Sequence, residues 1–433
     1  MHGSGKTNII KGFCDLIKMI KVFLKKYSHV NWALADQVMV SGINFITGIL
    51  VARFLGIEDY GRFTLIWIVV LFASSIQMSS INSPMMSIGP KRIDEGSSAY
   101  YGAVIAQQLI FSSVTVVSII VGVKVAALFF PEWQIAHLVL PLAAVTFFYQ
   151  TQDFTRRLFF VQGRQVAAFV NDVISYVGQL LLLIYFFFIG TLNIENTLWI
   201  IALTSAVATV VGGVIHGKVS CTYKVFINTV KRHWDSAKWL TGSALLQWSS
   251  GNLFIIAAGS ILGPTAVGAL KAAQNIMGVV HILFQGLENV VPIRASLYLH
   301  KFGPQSMAHY LRKVTIWGGL ATGILALAVS VHPEFLLTKI FGEDYQGYGY
   351  ILRWFAVIYF VSFLSLPLRI LLRTIEKTFP VFLTYILMTV FSVFAAVPMV
   401  GEFGLQGVLV GMLILVIISV CTLYGFTKYK HGF

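Results

Sequence analysis

N-F-I-T-G-I-L-V-A-R-F-L-G-I-E-D-Y-G, residues 44–61, begins inside an apolar run, passes Arg53 near the end of that run and breaks at Leu55-Gly56. Gly61 opens the next apolar run. A weaker copy, G-N-L-F-I-I-A-A-G-S-I-L-G-P-T-A-V-G, occupies residues 251–268. Leu55, Gly56 and Gly61 map onto Leu262, Gly263 and Gly268, and Ala52 maps onto Gly259. A repeat at half the chain length divides the sequence into two similar halves.

Of the 433 residues, 57% are hydrophobic and 11% charged. A soluble domain carries about 25% charged residues. Apolar runs long enough to cross a bilayer recur along the chain, so the sequence specifies a polytopic, all-α membrane protein. Alternating strands of a membrane barrel are absent. Twelve spans are expected, at 32–55, 62–86, 102–130, 135–155, 166–190, 195–216, 238–262, 265–292, 314–337, 350–372, 380–398 and 404–427. The halves are then a six-helix bundle over 32–216 and another over 238–433, joined by a basic linker, 217–237. Cys14, Cys221 and Cys421 are far apart and form no C-x-x-C pair, so neither a disulfide framework nor a metal site is expected.

Charge gives the orientation. With the N-terminus in the cytoplasm, the cytoplasmic segments hold most of the 31 basic residues, and the opposite loops carry mainly acids such as Glu58, Asp59, Glu334, Glu343 and Asp344. Both termini are then cytoplasmic. This placement accounts for most of the net charge of +14 without a nucleic-acid partner. Residues 1–31 place Ile9, Ile10, Phe13, Leu16, Ile17 and Ile20 at helical spacing, with lysines mostly on the other side. This segment is expected to lie on anionic membrane lipid as an amphipathic helix. Gly3 to Thr7, G-S-G-K-T, lacks the earlier glycine of a phosphate-binding loop.

Ionisable groups inside spans are costly and mark functional sites by default. In span 8, Lys271, Gln274, Asn275, His281, Gln285 and Glu288 fall within an arc of about 140° at the helical period. Span 1 has a milder stripe with Gln37, Ser41, Asn44 and Gly48, and span 7 has Ser243, Gln247 and Ser250. Asn171, Asp172, Ser175 and Gln179 share a face of span 5. Such stripes line a hydrated cavity or pack helix on helix, since small and amide residues gather in both settings. Lys271 favours the cavity, because an unpaired ammonium is expensive between packed helices. Asp36, Asp172 and Glu288 are candidate ion-coupling carboxylates. Arg53 either snorkels, caps its helix or meets substrate, and Arg156 and Arg157 read first as orienting charges. No catalytic constellation is present, so no enzyme and no cofactor is expected.

A-R-F-L-G-I-E-D-Y-G, residues 52–61, resembles the first hairpin of the polysaccharide transporter family, the Wzx-type flippases of the MOP superfamily, which also holds MATE-type exporters and lipid II flippases. Arg53, Leu55, Gly56, Tyr60, Gly61 and Phe63 fit that hairpin. The resemblance implies a MATE-like fold of two six-helix bundles in a bacterial cytoplasmic membrane. It implies translocation of an undecaprenyl-diphosphate-linked oligosaccharide by alternating access, for surface polysaccharide such as lipopolysaccharide. A polymerase and other polysaccharide-assembly proteins are the partners it suggests. On this reading Lys271, with Arg53 second, attracts the diphosphate, and Asn44, Gln247, Asn252 and Asn275 meet sugar. Two other functions fit the same spans: a MATE-like drug or ion antiporter, and a membrane-embedded glycan polymerase or glycosyltransferase. The short outer loops disfavour the last.

Overall fold

A computed structural model describes residues 28–91, 97–129 and 136–431. The expected helix over 1–31 lies outside them up to residue 27. All regular structure among the described residues is helical. Among the described residues, eight helices are long and apolar enough to cross a membrane. Three of these, Ser28–Gln77, Gly278–Val331 and Phe379–His431, are broken by a glycine with left-handed backbone: Gly56 (φ 79°), Gly303 (φ 81°) and Gly404 (φ 58°). Only glycine takes this conformation without a steric penalty. The chain reverses at each. Asp36 and Asn82, on either side of Gly56, reach Arg156 and Asp153 on one turn of span 4. Tyr298 and Tyr310 stack across Gly303 at 4.9 Å. Dividing these three and adding helix Val139–Val161 gives twelve passes.

Local signals set the ends. Span 6, Ile194–His216, starts where Asn193 Oδ1 accepts the Asn196 N–H at 2.8 Å, carries Glu195 in its first turn and stops at Gly217 (φ 86°). The ninth pass ends earlier than the expected residue 337. It stops at Val331, and Pro333 opens a separate short helix, Pro333–Phe341. A proline ring cannot continue the hydrogen-bond ladder but suits the first turn of a new helix.

The repeat is visible in three dimensions. A Cβ on Gly61 would collide with the carbonyl of Pro264, and one on Gly268 would collide with the carbonyl of Ile57. Ile57 and Pro264 are themselves matching positions, so the two motif loops clasp each other reciprocally, as about a two-fold axis. Spans 4 and 10 also end alike. Arg164 N–H reaches Phe159 O at 2.8 Å past Gly163 (φ 71°), and Lys377 N–H reaches Leu372 O at 2.8 Å past Glu376 (φ 59°).

The hydrophobic cores show where the halves join. The largest cluster takes Val51, Ala52, Tyr60 and Leu65 from spans 1 and 2 together with Phe254, Val267, Leu270 and Phe355 from the second half. It lies toward the clasped loops. At the opposite, basic end the halves have separate cores, one with Met85, Val104 and Phe154, the other with Val291, Met307 and Phe363. Below the contact of Gly278 with Phe45, side chains on the facing passes turn exposed, Val38 on one side and Ile282 on the other. Span 7 bridges the basic end, through Ser79 Oγ to Thr241 Oγ1 at 3.1 Å and Phe72 against Trp248 at 4.6 Å.

Candidate functional site

Two polar sites lie at membrane depth. The first is between the halves. Span 8 is interrupted: helix Pro264–Ile276 ends at Met277 (ψ −6°), and a new helix begins at Gly278. Discontinuous helices put backbone and side-chain polar groups at transporter sites. Lys271 stands just before the break. Its Nζ donates to Gln274 Oε1 at 3.0 Å, one turn along the same helix, and no carboxylate of the described residues pairs with it. Asn275, at the break, rests against Gly48 of span 1, where a Cβ would collide with Asn275 Nδ2. That nitrogen is buried without a hydrogen-bond partner among the described residues. Asn44 on span 1 and Gln247 on span 7 are exposed side chains of membrane-depth helices. Asn252 differs, since its Nδ2 is committed to Trp248 O at 2.9 Å on its own helix.

Arg53 lies elsewhere. Its Nη1 donates to the carbonyls of Lys339 (3.2 Å) and Ile340 (3.4 Å), the last turn of the short helix Pro333–Phe341. A cation there meets the negative end of the helix dipole and ties span 1 to the other half. Beside it Tyr345 Oη donates to Ala52 O at 3.1 Å, fully buried.

The second site is inside the first half. Arg156 of span 4 sits between two carboxylates: Nη2 is 2.7 Å from Asp36 Oδ2 on span 1, and Nε is 2.5 Å from Asp172 Oδ2 on span 5. The two acids are 1% and 0% exposed and the arginine 14%. Gln152, one turn before Arg156, donates to Asn171 Oδ1 (3.0 Å) and Asp172 Oδ1 (2.8 Å), and Asn171 donates to Ala208 O at 2.6 Å. Gly212 leaves room for this, because its Cβ would collide with Thr155 and crowd Asn171. A π-helical turn, Val173–Val177, follows Asp172 directly. Such turns re-aim side chains and concentrate at functional sites. Another, Met78–Asn82, places Asn82 at 3.1 Å from Asp153, which also holds Arg157 at 2.8 Å. Gln77, Gln108, Ser112 and Gln150 form a further hydrogen-bonded group among spans 2, 3 and 4.

Asp36 and Asp172, separate candidates in the sequence, thus belong to one triad. Arg156, read there as an orienting charge, is its centre. The signal was present in Y-Q-T-Q-D-F-T-R-R, residues 149–157, where Gln152 and Arg156 share a helix face. Glu288 has a different partner, Arg369 at 3.5 Å. Arg369 precedes Glu376 by as many residues as Arg156 precedes Gly163, so both halves carry an acid-paired arginine at matching positions.

The family described as "Polysaccharide biosynthesis protein" matches residues 29–293, and the MatE family matches residues 240–398. No curated protein matches in sequence. Among solved structures the chain is similar to the lipid II flippase MurJ in an inward closed conformation, with 12% identity, a TM-score of 0.71, and cover of 92% of this chain and 87% of that one. It is similar to a multidrug resistance MATE family transporter of the MOP superfamily in an inward-facing conformation, with 15% identity, a TM-score of 0.66, and cover of 93% and 99%. A MOP superfamily transporter from Pyrococcus furiosus gives 13% identity, a TM-score of 0.59, and cover of 92% and 93%. At these identities the likeness is one of fold.

Proposed function

Because the chain belongs to the polysaccharide biosynthesis protein family, we propose that it is a flippase that carries an undecaprenyl-diphosphate-linked oligosaccharide across the bacterial cytoplasmic membrane, with its basic end and both termini in the cytoplasm. The observation that carries this reading is Lys271: an ammonium at membrane depth, at the interface of two bundles, held by a neutral amide alone. A diphosphate crossing hydrocarbon requires such a cation. Asn44, Gln247 and Asn275 offer the amides that sugar hydroxyls need, with Asn252 available if it leaves its own helix. The halves, clasped at one end and separate at the other, match one state of an alternating-access cycle.

The triad favours a second element, ion coupling. Asp36, Arg156 and Asp172 carry one net negative charge when all are ionised, which suits uptake of a single proton. Asp36 Oδ1 is buried with no hydrogen-bond partner among the described residues. Glu288, paired with Arg369, is the weaker candidate. The same triad and the MatE match also suit a drug or ion antiporter, which dispenses with Lys271.

The test is to deplete the protein and follow lipid-linked glycans by leaflet. A glycan intermediate accumulating on the cytoplasmic side, cleared by wild type and not by Lys271→Ala at equal expression, is the expected result. Sensitivity to cationic drugs without such an intermediate would instead select the antiporter.

A further inference from the structure

Arg164 takes no part in the sites above. Span 4 ends at Val161, and Gly163 (φ 71°) turns the chain into helix Gln165–Asp172 at the basic end. The Arg164 side chain is pinned although exposed. Its Nη2 donates to Ile215 O at 2.8 Å, and its guanidinium lies over the Phe159 ring at 5.3 Å. No carboxylate of the described residues pairs with it. Arg164 borders two clefts. One, of about 460 Å³, is half polar: Lys218, His216, Gln162, Ser98 and Tyr101 line it, with no acid among the described residues of its wall. Tyr101 is 8% exposed, with its hydroxyl beside Gly89. The other cleft, of about 470 Å³, is mainly apolar, with Trp32, Val166, Ala167, Val170 and Ile215 around Gly163 and the shared Arg164.

A free anion would use only the polar cup, and a bare hydrocarbon only the apolar slot. One molecule that fills both carries a phosphate on a hydrocarbon chain. The setting agrees. Tryptophan marks the boundary of the bilayer, and cations at the basic end meet anionic lipid. Arginine also binds phosphate oxygens through several N–H groups at once.

We propose that the turn between spans 4 and 5 binds one anionic phospholipid of the leaflet at the basic end. Its phosphate sits in the cup formed by Arg164, Lys218 and the Tyr101 hydroxyl, and one acyl chain runs along Val166 and Val170. The site lies apart from Lys271 and from the triad and does not depend on what the protein transports.

Native mass spectrometry of the full chain, titrated with phosphatidylglycerol and with phosphatidylcholine, tests this. Wild type should retain one phosphatidylglycerol in preference to phosphatidylcholine. Arg164→Gln and Lys218→Gln should each weaken it by roughly tenfold, the worth of a charged hydrogen bond. Val170→Trp, which fills the slot and spares the cup, should weaken it similarly. Lys377→Gln, at the matching turn of the other half, should not. Lys218 is exposed, so its variant keeps the test valid if Arg164→Gln fails to fold. Unchanged retention in Lys218→Gln overturns the site. Unchanged retention in Val170→Trp with displacement by inorganic phosphate reduces it to an anion cup and overturns the lipid. Equal loss in Lys377→Gln replaces it with diffuse surface charge.

Discussion

At the scale of the residue, two part-buried cations at membrane depth have opposite accounts. Lys271 has a neutral partner, and Arg156 has two acids. Removing one member of a buried ion cluster strands the others and costs about 3–5 kcal/mol, more than the cluster itself contributes against an apolar substitute. Arg156→Ala should therefore lower the thermal unfolding temperature markedly in detergent. Adding Asp172→Asn should recover much of the loss, because one stranded carboxylate becomes an amide still within reach of Gln152. If Arg156→Ala unfolds with wild type, the arginine is only an orienting charge. Composition could not separate these roles. Arg156 and Arg157 are adjacent in sequence and both suit a positive-inside count, while the difference lies in which helix faces each of them. Asp36 and Asp172 were legible singly, because an acid in an apolar run is conspicuous. Their pairing was not, because it depends on the azimuth of three helices, of which span 1 is far in sequence from spans 4 and 5. Arg53 shows the converse. The sequence offers it as a snorkelling charge, a cap or a substrate contact, and the helix whose carbonyls it meets, Pro333–Phe341, straddles the end of an expected span and the loop after it.

At the scale of the element, the linker between the halves is a docked helix. Helix Tyr223–Leu262 begins in the linker and runs on into span 7. His233, fully buried, shares a 3.0 Å hydrogen bond between its Nε2 and Tyr100 Oη of span 3. The linker backbone approaches that span closely too, since a Cβ on Gly102 would collide with Ser220 O. Burial, and then the charge of Arg232, push the His233 pKa down to about 4. The folded state thus resists the proton that the unfolded chain accepts near pH 6.5. The stability from a neutral His233 is present above pH 6.5. It is lost as pH falls toward 4, to a limit of about 3 kcal/mol. Hydrogen exchange of residues 223–237 should accelerate between pH 6.5 and 4 relative to span 6, and His233→Gln should flatten that difference. An unchanged pH profile in the variant would place the titration elsewhere. The spans themselves were legible because their length and charge alternation are one-dimensional signals. The break at Met277 and the π-turns were not, because each shifts the backbone by a fraction of a turn inside a span.

At the scale of the whole molecule, the motif at residues 44–61 and its copy at 251–268 explain how one end is closed. Gly61 and Gly268 allow the two loops to interlock, and Arg53 and Tyr345 fasten span 1 to the segment that follows span 9. If the protein alternates between states, these contacts belong to the state seen here and must break in the other. Ligand or mutation shifts such an equilibrium only by its differential effect on the two states. Tyr345→Phe leaves the ring packed but removes the hydrogen bond to Ala52 O and strands a buried carbonyl, a loss of about 1–2 kcal/mol from this state alone. That free energy corresponds to a shift of roughly tenfold toward opening at the clasped end. Thiol labelling of Asn275→Cys reads it directly. In the parent the label should enter chiefly from the basic end, and with Tyr345→Phe entry from the clasped end should rise by about that factor. Entry from the basic end alone in both chains would mean that the clasp is part of a rigid scaffold. The two halves would then not exchange access around Lys271.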